Sequence, residues 1–166
     1  MGLTMTLKGS RSALLACVAL AGGVAVAGCG GGDDDGGGEE LSRAALVRQA
    51  NAACRRAAAG IARIPVAASI DELGSYAERV HTIGTRLYDE VSQLTPSQPD
   101  RQAFERYLRA LSTSNAQLSA LSRAADAGDR AAVGAAAGRV ARAEVGTYAA
   151  VAGFDVCSEA SPTPTS

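Results

Sequence analysis

The sequence predicts an all-α fold, an up-down antiparallel four-helix bundle over residues 41–158. Three observations carry this. Apolar and small residues recur at alternating steps of three and four along four segments, the spacing of one helix face. The period-two alternation of strands is absent. The segments are separated by short runs of Pro, Gly and capping residues, and short connections make antiparallel neighbours.

The first seam is Val47, Ala50, Cys54, Ala57, Ile61 and Ile64, closed by Pro65. Ser69-Ile-Asp-Glu72 is a capping box opening the second segment. That segment's seam is Leu73, Ala77, Val80, Gly84, Leu87, Val91 and Leu94. Thr95-Pro-Ser-Gln-Pro99 separates it from the third, whose seam is Phe104, Leu108, Leu111, Asn115, Leu118, Leu121 and Ala125. Gly128 suits the position just past a helix end, and Asp129 suits the N-cap of the next helix. The fourth seam is Val133, Ala136, Val140, Ala143, Thr147, Val151 and Phe154. Gly60, Gly74, Gly84, Gly134, Gly138 and Gly146 fall within these helices, each costing about 1 kcal/mol relative to Ala at an exposed interior site. Many seam positions are only Ala, and the chain has four Tyr, two Phe and no Trp. A core this thin asks for a further constraint.

Ahead of the bundle, Lys8 and Arg11 precede an apolar stretch from Ala13 to Ala27, and Val26-Ala27-Gly28-Cys29 follows its course to the end. The apolar stretch is shorter than the ~20 residues a membrane-spanning helix needs. With the small residues before the cysteine, it resembles the lipobox of bacterial lipoprotein precursors. The resemblance implies a signal peptide at 1–28 and a diacylglycerol-modified, palmitate-bearing Cys29 as the first residue of the mature chain. It implies attachment to the cell membrane, at its extracytoplasmic face. Residues 29–40 then form a Gly/Asp spacer; the stretch after Cys29 has no apolar side chain and a root-mean-square reach of roughly 18 Å. The Ser/Thr/Pro tail, residues 159–166 with its final Ser161-Pro-Thr-Pro-Thr-Ser166, is expected to be flexible.

Cys17 lies within the signal peptide, which leaves Cys54 and Cys157 in the bundle. Export places them in an oxidising compartment, where such a pair is usually bridged. Buried thiols, or thiols with redox or metal roles, are the alternatives; no Cys-x-x-Cys is present. In a simple bundle the end of the fourth helix lies near the start of the first, whereas Cys54 lies about 20 Å along the first helix. The bridge therefore requires Gly153-Phe-Asp-Val-Cys157 to fold back along that helix, with Phe154 entering the core.

Candidate chemistry is sparse. Glu78-Arg-Val-His81 has the Glu-x-x-His spacing that di-iron bundles use twice, with further Glu residues. His81 is the single His in the chain, so a second copy cannot exist, and the plain reading of Glu78 and His81 is a solvated stripe continuing into Thr85 and Asp89. Gly134-Ala-Ala-Ala-Gly138 is a small-xxx-small pattern suggesting close packing of the fourth helix on a neighbour. Asn115, on the third seam, asks for a partner such as Thr147 or a Tyr hydroxyl. No phosphate-binding Gly loop, nucleophile elbow or metal-spaced cluster appears, so no catalytic residue, enzymatic activity or cofactor is expected. Residues 41–158 hold fourteen scattered Arg, no Lys and eleven acids, with no basic run interleaved with aromatics, which speaks against nucleic acid.

From Ala50-Asn-Ala-Ala-Cys54-Arg-Arg to Gly153-Phe-Asp-Val-Cys157, the body resembles small exported lipoproteins of actinobacteria. The Arg, Ala and Gly usage is similar to that of high-GC actinobacterial proteins. The resemblance implies a helical body with a bridge between its first helix and its end, and no particular activity. The expected function is that of a non-enzymatic, membrane-tethered lipoprotein presenting a helical face to a cell-envelope partner. The alternative is a carrier that holds a small apolar ligand or a metal between its helices.

Overall fold

A computed structural model describes residues 39–159. The lipobox, its leader and most of the spacer, together with the tail beyond residue 159, lie outside the described residues. Six helices follow in order: α1 (Arg43–Ile61), α2 (Ile70–Ser92), α3 (Gln98–Asp126), α4 (Arg130–Ala141), α5 (Val145–Ala152) and α6 (Asp155–Glu159). The architecture is the expected all-α bundle. Among the described residues the sole bridge outside the helices joins Leu41 to Pro96, where the Leu41 N–H donates to the Thr95 carbonyl at 2.8 Å.

The caps explain where the helices start. Ser42 accepts from the Ala45 N–H, Ser69 from the Glu72 N–H, and Asp129 from the Ala132 N–H, satisfying N–H groups that have no partner within a first turn. The return arm of the box at Ser69 is shifted by one residue, since Glu72 accepts from the Ala68 N–H at 2.9 Å. Gly128 ends α3 with φ +67°, the left-handed geometry that glycine adopts without strain. Ser97 opens α3 differently: its hydroxyl donates to the Asp100 carboxylate rather than accepting from the helix.

At 29 residues, or about 43 Å, α3 is the spine on which α2, α4 and α5 pack. Helices α1 and α4 cover its two ends, so the core forms in two parts. The larger joins Leu46, Ala50, Ala53 and Cys54 of α1, Val91 of α2, Phe104, Tyr107 and Leu111 of α3, Ala149 and Ala152 of α5, and then Phe154 and Cys157. The smaller joins Ala77, Leu121 and Ala136 from α2, α3 and α4. Where α2 crosses α3, small residues let the backbones approach. The Ser122 hydroxyl donates to the Gly74 carbonyl at 3.1 Å. The Asn115 amide lies over Gly84, in the space a Cβ there would take.

The fourth predicted helix is two helices, α4 and α5, and the fold-back beyond it carries α6. After α4, Arg142 leaves helical geometry and Glu144 takes a left-handed backbone, φ 49°. That break turns the face of everything beyond it. Ala149 and Ala152 are the buried residues of α5, whereas Thr147 is exposed and Val151 is 59% exposed, so neither holds the seam position expected of it. Asn115 correspondingly meets Gly84 rather than Thr147. A second left-handed residue, Gly153 (φ +77°), ends α5 and turns the chain back onto α1.

The helical glycines also differ from one another. In α4, Gly134 has open space at its Cβ position, and Gly138 meets the guanidinium of Arg142 in its own chain segment. The small-xxx-small pattern therefore does not make a helix crossing; Ala136 is the residue α4 buries. Alanine at Gly134 is expected to raise stability by about 0.5–1 kcal/mol, because the glycine gains nothing from packing there. Alanine at Gly153 is expected to lower it by about 1–2 kcal/mol through left-handed strain, with Arg43 Nη2 already 3.0 Å from the new Cβ. Urea titration of the two variants checks this, since one substitution must move the midpoint in opposite directions.

Candidate functional site

The two cysteines that the sequence places far apart form a disulfide, with Cα atoms 5.2 Å apart across a sequence separation of 103. The fold-back at Gly153 makes this possible. Helix α6 lies beside α1, and the Asn51 side chain accepts from the Val156 N–H at 3.2 Å. Phe154 is fully buried in the turn between α5 and α6. It meets Tyr107 edge-on at 5.2 Å and Phe104 edge-on at 6.4 Å. The Tyr107 hydroxyl lies 3.4 Å from Cys54 Sγ and, with that sulfur in a disulfide, is the donor. Burial holds the Tyr107 phenol neutral, well above the usual range for its ionisation. Both sulfurs are shielded, with Cys54 and Cys157 at 2% and 3% exposure. This is the environment of a structural bridge rather than of an exposed, reactive thiol.

The remaining candidates are more scattered. Cys29 lies outside the described residues. Glu78 is exposed and His81 half-buried on α2; the His81 backbone carbonyl accepts from Thr85. Among the described residues no group of three or more His, Cys, Asp or Glu could hold a metal ion, so Glu78 and His81 gain no further ligand. No helix of the described residues is long and apolar enough to cross a membrane.

The tertiary structure assembles a cleft that the sequence did not announce. It lies where the α4–α5 break faces α3, has a volume of about 460 Å³, and is lined by Arg106, Arg109, Thr113, Arg142, Glu144 and Tyr148 over a floor that includes Ala110. Arg106, Arg109 and Thr113 are one turn apart along α3 and share a side of it. Arg142, Glu144 and Tyr148 come from the break and the first turn of α5. Arg109 approaches Glu105 of its own helix at 3.9 Å, whereas Arg106 and Arg142 have no carboxylate partner among the described residues. The Arg106, Arg109, Thr113 spacing was a legible signal on α3. Arg142 could not be joined to it without knowing where the fourth segment breaks.

Comparison with protein-family models, with curated proteins and with solved structures returned no match.

Proposed function

We propose that the chain is an exported lipoprotein, attached through Cys29 to the extracytoplasmic face of the cell membrane, and that its helical domain works there as a non-enzymatic binding module for an envelope partner. The observation that carries this reading is Val26-Ala27-Gly28-Cys29, set between a short apolar stretch and a spacer without apolar side chains. The Cys54–Cys157 bridge supports it independently, because such bonds persist in oxidising compartments outside the cytoplasm. Two acyl chains on one residue make a stable anchor at about 0.8 kcal/mol per buried methylene. The carrier reading asks for an enclosed apolar cavity between helices; the cleft at the α4–α5 break is open and arginine-lined, so it does not favour an apolar cargo.

Detergent partitioning of the chain expressed in a bacterial host tests the anchor. The wild type is expected in the detergent phase, with a diacylglycerol mass increment on the peptide that begins at Cys29. Cys29→Ala is expected to lose the increment and move to the aqueous phase. A wild type that carries no added mass at Cys29 overturns the reading.

A further inference from the structure

We propose that the cleft between α3 and the α4–α5 break binds a polyol phosphate, a ligand whose phosphate is held by Arg106, Arg109 and Arg142 and whose hydroxyls meet Glu144, Thr113 and Tyr148. The inference does not depend on membrane attachment. It rests on the convergence of side chains from two separate stretches of sequence. A guanidinium offers a planar fork of N–H donors that matches two oxygens of a phosphate, and such charge-assisted pairs are stronger than neutral ones. Here three arginines line one concavity, with Glu144 the single acidic residue among its lining. Arg106 and Arg142 have no ion-pair partner among the described residues, and Arg109 meets only Glu105 of its own helix at 3.9 Å. Gathering unpaired cations in one place carries a repulsive cost that an anion relieves.

The backbone supports the same site. Glu144 is the only non-glycine residue with positive φ among the described residues. A left-handed glutamate is strained by about 1–2 kcal/mol, and strain of this kind concentrates where a site is shaped. Glu144 is the residue just before α5, and with Arg142, which caps the end of α4, it forms the break that faces α3. A bare phosphate would leave Glu144 facing an anion. A ligand with hydroxyl groups beside its phosphate gives that carboxylate donors to accept from, and the open cleft of about 460 Å³ has room for one. The phosphate could belong to a soluble polyol phosphate or to the headgroup of a phosphorylated lipid.

The test uses the full chain, glycerol 3-phosphate as the soluble probe, and vesicles of phosphatidylcholine with or without phosphatidylglycerol as the lipid probe. Arginine Nε–Hε resonances are followed by NMR, and vesicle binding by co-sedimentation. Saturable shifts of Arg106, Arg109 and Arg142 with glycerol 3-phosphate are expected, with weaker binding of inorganic phosphate. The double variant Arg106→Gln/Arg142→Gln is expected to weaken binding at least about tenfold, as the loss of charge-assisted bonds predicts. The lysine pair Arg106→Lys/Arg142→Lys keeps the charge without the fork and is expected to fall between. Arg55→Gln, exposed on α1, serves as the control and is expected to change binding less than about twofold. A double-variant defect confined to phosphatidylglycerol vesicles assigns the phosphate to a lipid headgroup. Any anchor is common to all the chains compared. The proposal fails if the control loses as much as the double variant, or if neither probe distinguishes the double variant from the wild type. Unchanged circular dichroism keeps a folding defect from being read as a binding defect.

Discussion

Cys157→Ser is expected to lower the stability of the helical domain by about 4–5 kcal/mol, the loop-closure value for a bridge spanning a sequence separation of 103. Domains of this size have roughly 5–15 kcal/mol in total. The loss is therefore a large fraction of what holds the fold, and the variant is expected to be partly unfolded at growth temperature. The thin core makes the dependence stronger: of the twelve buried residues in the main cluster, four are Ala. Urea titration measures the effect, with the reduced wild type as the companion. Removing the bond by reductant leaves both side chains in place, so equal losses in the two cases assign the effect to the cross-link rather than to repacking around serine. A loss below about 1 kcal/mol in both would mean that the bridge does not constrain the unfolded chain and that the Ala-rich core suffices.

Phe154→Ala is expected to cost about 3–5 kcal/mol, the range for truncating a fully buried phenylalanine. Its ring is where α1, α3, α5 and α6 converge, and edge-on contacts with Phe104 and Tyr107 add to the area it buries. The informative comparison is Val151→Ala. Both residues lie on the seam read from the sequence, yet Val151 is exposed, so its truncation is expected to change stability by less than about 0.5 kcal/mol. Chemical denaturation of the two variants separates the observed face from the simple continuation of the fourth helix. Similar losses in both would show that Val151 is packed and that α5 presents a different face from the one described.

The helical class, the capped start of α2, the end of α3 and the start of α4 were legible because they depend on local rules, whereas α1 stops at Ile61 short of Pro65 and α3 already begins at Gln98 within the predicted separator. Ser69, Gly128 and Asp129 act through hydrogen bonds and backbone angles within one turn, and those preferences are written in residue type. The Cys54–Cys157 pairing was legible for a different reason: with Cys17 and Cys29 assigned to export, two cysteines remained. The fold-back followed from comparing helix rise with bundle topology. The continuation of the fourth helix failed at Glu144, because nothing in residue type marks a glutamate for a left-handed backbone. The small-xxx-small pattern in α4 failed as well. Spacing records which residues share a face, but not whether another helix occupies the space beside it.

The sequence by itself determined the periodicities, the caps, the available cysteines and the lipobox pattern, because each is a matter of residue type at short range. The tertiary structure alone decided which face α5 buries, which glycines lie at helix crossings, and that Arg142 joins Arg106 and Arg109. Those outcomes depend on one backbone turn at Glu144 and on the relative positions of helices far apart in the chain. Such arrangements are set by the packing of the whole domain, where small local preferences at a single residue are outweighed by the burial of many.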